Sequence, residues 1–347
     1  MNGRIAAITG GAGFIGHHLA ATLAGQGARV RVLDMAPRPA TMSSAIEYIE
    51  GSVCDTAACR RAFEGADEIY HLAGIAHLWA RDPRQFDIVN VEGTAQVLEA
   101  ARRAAVGVTV VTSTEVILRG WRDRDPRISE ETPLPPPNEL AGPYARSKAK
   151  AHALALAAAA EGLDVRIVYP TVPVGPGDRG FTSPTAMIRD FLNHPPPVFL
   201  DCRLNLVDVG DVVRGHVLAA RHGRAGGRYI LGGEDLWMQQ ILALLEDISG
   251  RAMPRRAIPF ALAFAAGAVS TFVADVITGT PPRAPLEGVR LACAPRTIEI
   301  GHARAALGYA PGPVRNALVA AIAWLADNGH LAKGLDFEAL KTAKKTP

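Results

Sequence analysis

The chain is expected to be an α/β protein, with a doubly wound parallel sheet joined to a smaller, mostly C-terminal domain. Three observations predict this. Short apolar runs alternate with helical patterns up to Pro170, and a glycine-rich turn joins the first run to the first helix. Beyond Pro170 the alternation breaks into Pro- and Gly-rich pieces followed by two longer helical patterns.

The first strand is the apolar run 5–9, which ends at Gly10-Gly-Ala-Gly13-Phe-Ile-Gly16. Helical periodicity follows over 17–25 and a second β-rich run over 28–34. The alternation continues with a strand at 68–73, a helix over about 90–104, a strand at 108–113, an Ala-rich helix at 144–161 and a strand at 165–169. Strands separated by helices require right-handed crossovers, so the sheet is parallel and buried on both faces. In the second half, Pro/Gly-rich segments at 173–184 and 195–197 precede helical patterns at 238–249 and 260–278. Residues 1–170 therefore form the sheet domain, and 205–235 return to it. Residues 171–204 and 236–330 form a cap over the carboxyl edge, and 331–347 a tail. The run 260–277 is apolar except for Ser270, Thr271 and Asp275, yet it falls short of the ~20 residues a membrane span requires. It is expected to be a buried or substrate-lining helix, with peripheral contact to lipid as the other possibility.

Composition narrows the function classes. The 347 residues are 48% hydrophobic and 20% charged, with 34 Gly and 25 Pro dispersed, which excludes disorder, collagen-like repeats and coiled coil. The 37 Lys and Arg interleave with 34 Asp and Glu for a net charge of +3, too even a balance for a nucleic-acid partner. Cys54, Cys59, Cys202 and Cys293 form no CxxC pair, as expected of buried thiols in a reducing compartment without structural zinc or another metal site. The first residues show no signal peptide, so a cytoplasmic location is expected.

Gly10, Gly13 and Gly16 sit between strand and helix, and each has its own task. Gly10 permits a tight turn, Gly13 lets backbone approach a pyrophosphate at the helix N-terminus, and Gly16 lets helix pack on strand. Asp34 ends the second strand, where a carboxylate accepts from both ribose hydroxyls and repels a 2′-phosphate, favouring NAD. Arg38 in the same loop leaves NADP open, since a guanidinium can embrace that phosphate. Tyr144 and Lys148 stand one helical turn apart in Tyr144-Ala-Arg-Ser-Lys148. A phenol titrates near ~10, and an adjacent ammonium favours the phenolate, so this tyrosine can exchange a proton with an alcohol or ketone oxygen. Upstream, a strand ends in Thr112-Ser113-Thr114, hydroxyls at the sheet edge where α/β proteins bind ligands.

Thr9-Gly-Gly-Ala-Gly-Phe-Ile-Gly16, His71-Leu-Ala-Gly74, Asn90-Val-Glu-Gly-Thr94, the hydroxyl strand end and YxxxK occur in the order of an extended short-chain dehydrogenase/reductase, which the chain resembles over most of its length. Within that family it is similar to the branch of dihydroflavonol-4-reductase-like enzymes, 3β-hydroxysteroid dehydrogenases and hopanoid-associated sugar epimerases. The resemblance implies a Rossmann fold and a triad of Tyr144 as proton donor or acceptor, Lys148 as its electrostatic partner and Thr114 in the serine position, with Ser113 as fallback. It also implies cofactor contacts from Gly10, Gly13, Phe14, Ile15, Gly16, Asp34, Arg38, Val53, Leu72, Ala73, Asn90, Tyr144, Lys148 and Pro170. A two-fold dimer is common in the family. Ser52 follows Gly51 where the family often has Asp, so the adenine contact is weaker or moves to Asp55. At the positions where nucleotide-sugar epimerases commonly carry Asn and Arg, this chain has Val172 and Leu204, with Arg203 one place off. Apolar side chains there suit a hydrophobic substrate rather than a diphosphate, and Phe181, in a Pro/Gly-rich loop that is either a lid or plain surface, is a third candidate contact.

Some neighbours have plainer tasks. His71 is expected to pack at a strand end, His17 and His18 to do no catalysis, and Asn90 either to touch the cofactor or only to tie down backbone. The expected activity is NAD(P)-dependent hydride transfer on a secondary alcohol or ketone of a mainly apolar, sterol-, hopanoid- or flavonol-like substrate. The alternatives are a nucleotide-sugar epimerase or dehydratase with tightly held NAD, and a non-catalytic NAD(P)-binding protein.

Overall fold

The structure, a computed structural model, describes residues 3–122, 127–282, 284–292 and 296–332. Cys293 and positions 333–347 of the expected tail lie outside the described residues. The first half runs β1 (Ile5–Thr9), α1 (Phe14–Gly25), β2 (Arg29–Asp34), β3 (Glu47–Glu50), α2 (Thr56–Phe63) and β4 (Glu68–His71). A helix then begins as α3 (Arg84–Phe86), widens into a π-type turn over Asp87–Glu92 and continues as α4 (Gly93–Arg103). Next come β5 (Val108–Thr112), β6 (Arg127–Ile128), α5 (Pro143–Ala160) and β7 (Val165–Pro170). The second half contains β8 (Val172–Val174), α6 (Ser183–Asn193), β9 (Val198–Leu200), β10 (Arg203–Asp208), α7 (Val209–His222), β11 (Arg228–Leu231), β12 (Glu234–Trp237) and α8 (Met238–Ser249). It ends with β13 (Arg256–Ile258), α9 (Phe260–Val273) with a π-type continuation over Ala274–Thr278, α10 (Leu286–Leu291), β14 (Thr297–Ile298), α11 (Gly301–Leu307) and α12 (Val314–Asp327).

Seven parallel strands form the main sheet in the order β11-β7-β5-β4-β1-β2-β3. Successive strand residues point to opposite faces, and both faces are covered. Ala7, Leu33 and Ile69 pack in the cluster with α2 and α4. Their neighbours Ala6, Ile8, Val32 and Tyr70 join the cluster containing Leu19 and Leu23 of α1 and Val212 of α7. Strand order reverses between β1 and β4, and the crevice at their carboxyl ends is where an open α/β sheet receives a ligand.

Several boundaries differ from the expectation. Edge strand β3 reads Glu-Tyr-Ile-Glu and carries no apolar run. The helix expected from about residue 90 begins at Arg84, directly after Pro83. The small sheet β12-β10-β8 and α6, α8 and α12 build the cap around Leu206, Ile241, Leu245, Leu318 and Ile322. Residues 205–208, expected in the large domain, belong to this small sheet through β10, and the chain re-enters the large domain with α7 and β11. Conversely Ile300, Ala303, Leu307 and Tyr309, assigned to the cap, pack into the large core. The run 260–277 is not buried: Leu262, Val269, Phe272, Val276 and Ile277 are each at least 60% exposed.

Candidate active site

The glycine turn is built by close approach. Gly10 has φ +72°, and a Cβ there would lie 2.7 Å from the Ala73 nitrogen, so β1 and the chain leaving β4 meet with no room for a side chain. A Cβ on Gly16 would lie 2.2 Å from the Gly10 carbonyl oxygen, which is how α1 seats on the turn. Phe14 and Ile15 open α1, and amides in a helix's first turn have no intrahelical acceptor, so they point at the crevice as anion donors. At the end of β2, Asp34 Oδ2 accepts from the Ala12 amide at 2.9 Å and Oδ1 from the Ala36 amide at 2.9 Å, holding its carboxylate against the glycine turn. The Arg38 guanidinium donates to the carbonyls of Ile46, at 3.0 Å, and Ser43, closing its own loop.

Beneath the crevice runs a buried polar chain. The Ala73 amide donates to Thr9 Oγ1 at 3.2 Å, Thr9 Oγ1 lies 2.8 Å from His71 Nδ1, and His71 Nε2 lies 2.9 Å from Thr94 Oγ1. Thr94 donates its own hydrogen to the Asn90 carbonyl at 2.6 Å, so His71 carries its proton on Nε2 and accepts at Nδ1 from Thr9. Burial and then the Lys148 charge push His71 down to about 3, which keeps this imidazole neutral. Asn90, in the π-type turn, accepts from the Ile75 amide at 2.7 Å and donates to the Ile75 carbonyl and to Ser147 Oγ. These bonds perform one of its two expected tasks, tying the backbone after β4 to α5.

Tyr144 is the second residue of α5 and only 9% exposed. Burial raises its phenol well above the usual value, a hydrogen bond with Thr114 lowers it, and the charges of Glu287 and Glu115 raise it again. Lys148 is not among these influences. Its ammonium donates to the Thr112 carbonyl at 2.7 Å, and burial brings it down to about 8. The ammonium is thus anchored on the backbone at the end of β5, two residues before Thr114. Thr114 itself caps the 3-10 turn Glu115–Leu118, and Ser113 Oγ is buried with no partner among the described residues.

Sequence reasoning missed Glu287. Helix α5 starts at Gly142 and Pro143, which offer no side-chain cap, and its first amides would be orphaned. Glu287 of α10, 4% exposed, fills the role: its carboxylate accepts from the Ala145 amide at 2.9 Å and the Tyr144 amide at 3.3 Å. Burial pushes this carboxyl up to about 7 against those two hydrogen bonds. No local motif signals it, because donor and acceptor are more than 140 positions apart.

The remaining candidates divide. Val53 is buried against Gly93, Leu72 and Ala73 leave β4 beside Gly10, and Pro170 ends β7. Asp55 caps α2, its Oδ1 accepting from the Ala57 amide at 2.8 Å. Val172 on β8 and Leu204 on β10 pack partly buried on the cap core, and Arg203 donates one N–H to Thr297 Oγ1 at 3.0 Å while its Nε has no partner among the described residues. The Phe181 ring packs edge-on to His330, near Trp324 and under Arg189, and fastens its loop to the cap. His18 Nε2 lies 2.8 Å from the Pro176 carbonyl and serves that loop as well.

A seven-stranded parallel sheet with a glycine turn at its reversal point, an acid ending β2 and a tyrosine and lysine above β5 define a dinucleotide-dependent enzyme of the short-chain dehydrogenase/reductase class. The residues fit the dinucleotide, since Gly10 and Gly16 let the turn close against backbone, where a side chain would collide, and so bring the first turn of α1 to the crevice. The family model of the NAD-dependent epimerase/dehydratase family matches residues 6–232, and the chain belongs to that family. It is 33% identical to a Synechocystis protein provisionally named dihydroflavonol 4-reductase, over 93% of this chain and 95% of that one. It is 30% identical to sterol demethylase protein B of Methylococcus capsulatus, over 93% of this chain and 99% of that one. The crystal structure of gox2253, 31% identical, superposes with a TM-score of 0.80 over 95% of this chain and 100% of that one.

Proposed function

We propose that the protein interconverts a secondary alcohol and a ketone on a mainly apolar substrate. NAD, when bound, accepts or returns the hydride. The chain's residues do the rest. Tyr144 moves the hydroxyl proton, Thr114 orients the phenol and the reacting oxygen from the end of β5, and Lys148 holds positive charge and ribose at the crevice floor. With its phenol protonated by burial and by the Glu287 and Glu115 charges, Tyr144 is set to donate to a ketone oxygen.

The observation that carries this reading is the buried Tyr144 on the first turn of α5 and the half-buried Lys148 one turn on, bonded to the Thr112 carbonyl at the sheet's carboxyl edge. One point of the structure supports an apolar substrate: Val172 and Leu204 stand on the apolar cap core. The names of the Synechocystis and Methylococcus relatives fit the same class. The test is a thermal-shift and turnover panel with NAD present. Steroid, hopanoid and flavonol alcohols or ketones are expected to stabilise and turn over, with Tyr144→Phe falling on the order of 10²-fold or more. Stabilisation by nucleotide diphosphate sugars alone would replace this reading with the epimerase one.

A further inference from the structure

We propose that the outward face of α9 and its π-type continuation is a docking surface for an anionic lipid bilayer. Among the described residues nine large hydrophobic side chains are exposed, and five of them, Leu262, Val269, Phe272, Val276 and Ile277, lie on this one segment. The helix is built inside out. Its buried positions are the small Ala263, Gly267 and Ala274, and a Cβ on Gly267 would lie 2.9 Å from Val289 of α10, so close packing on the protein uses the small side and leaves the bulky side facing out. Two polar side chains of the segment bond back to the protein: Thr271 accepts from the Leu286 amide at 2.9 Å, and Asp275 from the Trp79 indole at 2.7 Å. These bonds, with Phe264 stacked on Trp121, hold the helix flat against the body. That posture suits a helix lying in the bilayer interface rather than crossing it.

Charge decides the occupant. Exposed Arg255 and Arg256 precede the helix, and Arg81 packs against Gly279 at its far end. Of the nearby acids Glu246 pairs with Arg255 and Asp82 with Arg84, while Asp275 on the segment accepts from the Trp79 indole, which leaves Arg256 and Arg81 as the cations at the two ends of the strip. A second copy on this face would set arginines against arginines in either direction of a two-fold pairing, whereas an anionic headgroup layer satisfies both ends of the strip at once. The surface also adjoins the site. Helix α10, packed behind α9, carries the Glu287 carboxylate that holds the first turn of α5, so an apolar substrate would pass from bilayer to crevice past a single helix layer. That last step rests on the proposed function; the docking does not.

The test is co-sedimentation of the full chain with vesicles of phosphatidylcholine and phosphatidylglycerol in equal proportion, and of phosphatidylcholine alone. Binding is expected to the anionic vesicles. It should weaken on the order of tenfold or more in high salt or in Arg81→Glu/Arg255→Glu/Arg256→Glu, and be lost in Leu262→Gln/Val269→Gln/Phe272→Gln while NAD-dependent thermal stabilisation persists. Because a triple variant can misfold, tryptophan quenching of the unmodified chain by brominated lipid gives a second readout, with quenching expected. The proposal is overturned if the chain stays in the supernatant and unquenched with anionic vesicles, or if the glutamine variant binds as its parent does. It is equally overturned if light scattering shows a lipid-free dimer that the glutamine variant converts to monomer.

Discussion

Glu287 offers the sharpest quantitative test, because one side chain caps the catalytic helix and sits against its reacting residue. Burial lifts the carboxyl from 4.5 to about 7. At about 1.4 kcal/mol per tenfold change in proton affinity, the ionised form is disfavoured in the fold by roughly 3 kcal/mol. Between 4.5 and about 7 the folded chain keeps a proton that the unfolded chain has lost, so this group's contribution to stability declines as pH rises through that window and is level on either side. Glu287→Gln retains an acceptor for the Ala145 amide but cannot ionise. Urea midpoints of parent and variant, measured from about pH 4.5 to above 7, should therefore diverge by roughly 3 kcal/mol in the variant's favour on going to the higher pH. Removing the charge also relieves Tyr144, so the phenol's limb of the activity profile should move to lower pH. Parallel stability curves for the two proteins across the window would refute the reasoning.

Further outcomes follow from the same geometry. Thr114→Val removes the hydroxyl proposed to hold the reacting oxygen and should cut turnover on the order of 10²-fold, while Ser113→Ala, whose hydroxyl has no partner among the described residues, should cost little; the reverse result would transfer the role to Ser113. Gly16→Ala drives a methyl into the Gly10 carbonyl, so stability should fall by about 1–3 kcal/mol and the NAD-dependent thermal shift should vanish, and an undiminished shift would exclude this turn as the pyrophosphate site. Asp34→Ala should weaken NAD stabilisation and narrow the preference over NADP, as read by thermal shift with each dinucleotide; unchanged preference would mean the carboxylate serves only the Ala12 and Ala36 amides.

What the amino-acid sequence determined by itself is what neighbours in the chain can decide. The alternation of apolar runs and helical periods dictates the parallel sheet, three glycines within seven residues dictate the turn, and Tyr144 and Lys148 share a helix face because one turn separates them. Tertiary structure decided whatever depends on partners distant in sequence. Glu287 reaches the start of α5 from α10; the Thr112 carbonyl holds the Lys148 ammonium; and Arg38 and Asn90 each bond a stretch of backbone that no motif announces. Helix α9 makes the same point for packing. Its composition announces hydrophobicity, but which side is covered depends on where α10 presses, and the small residues lie there, leaving Leu262, Val269 and Phe272 outward. Local periodicity sets the elements, while long-range contact assigns each side chain its neighbour, and therefore its charge state and its task.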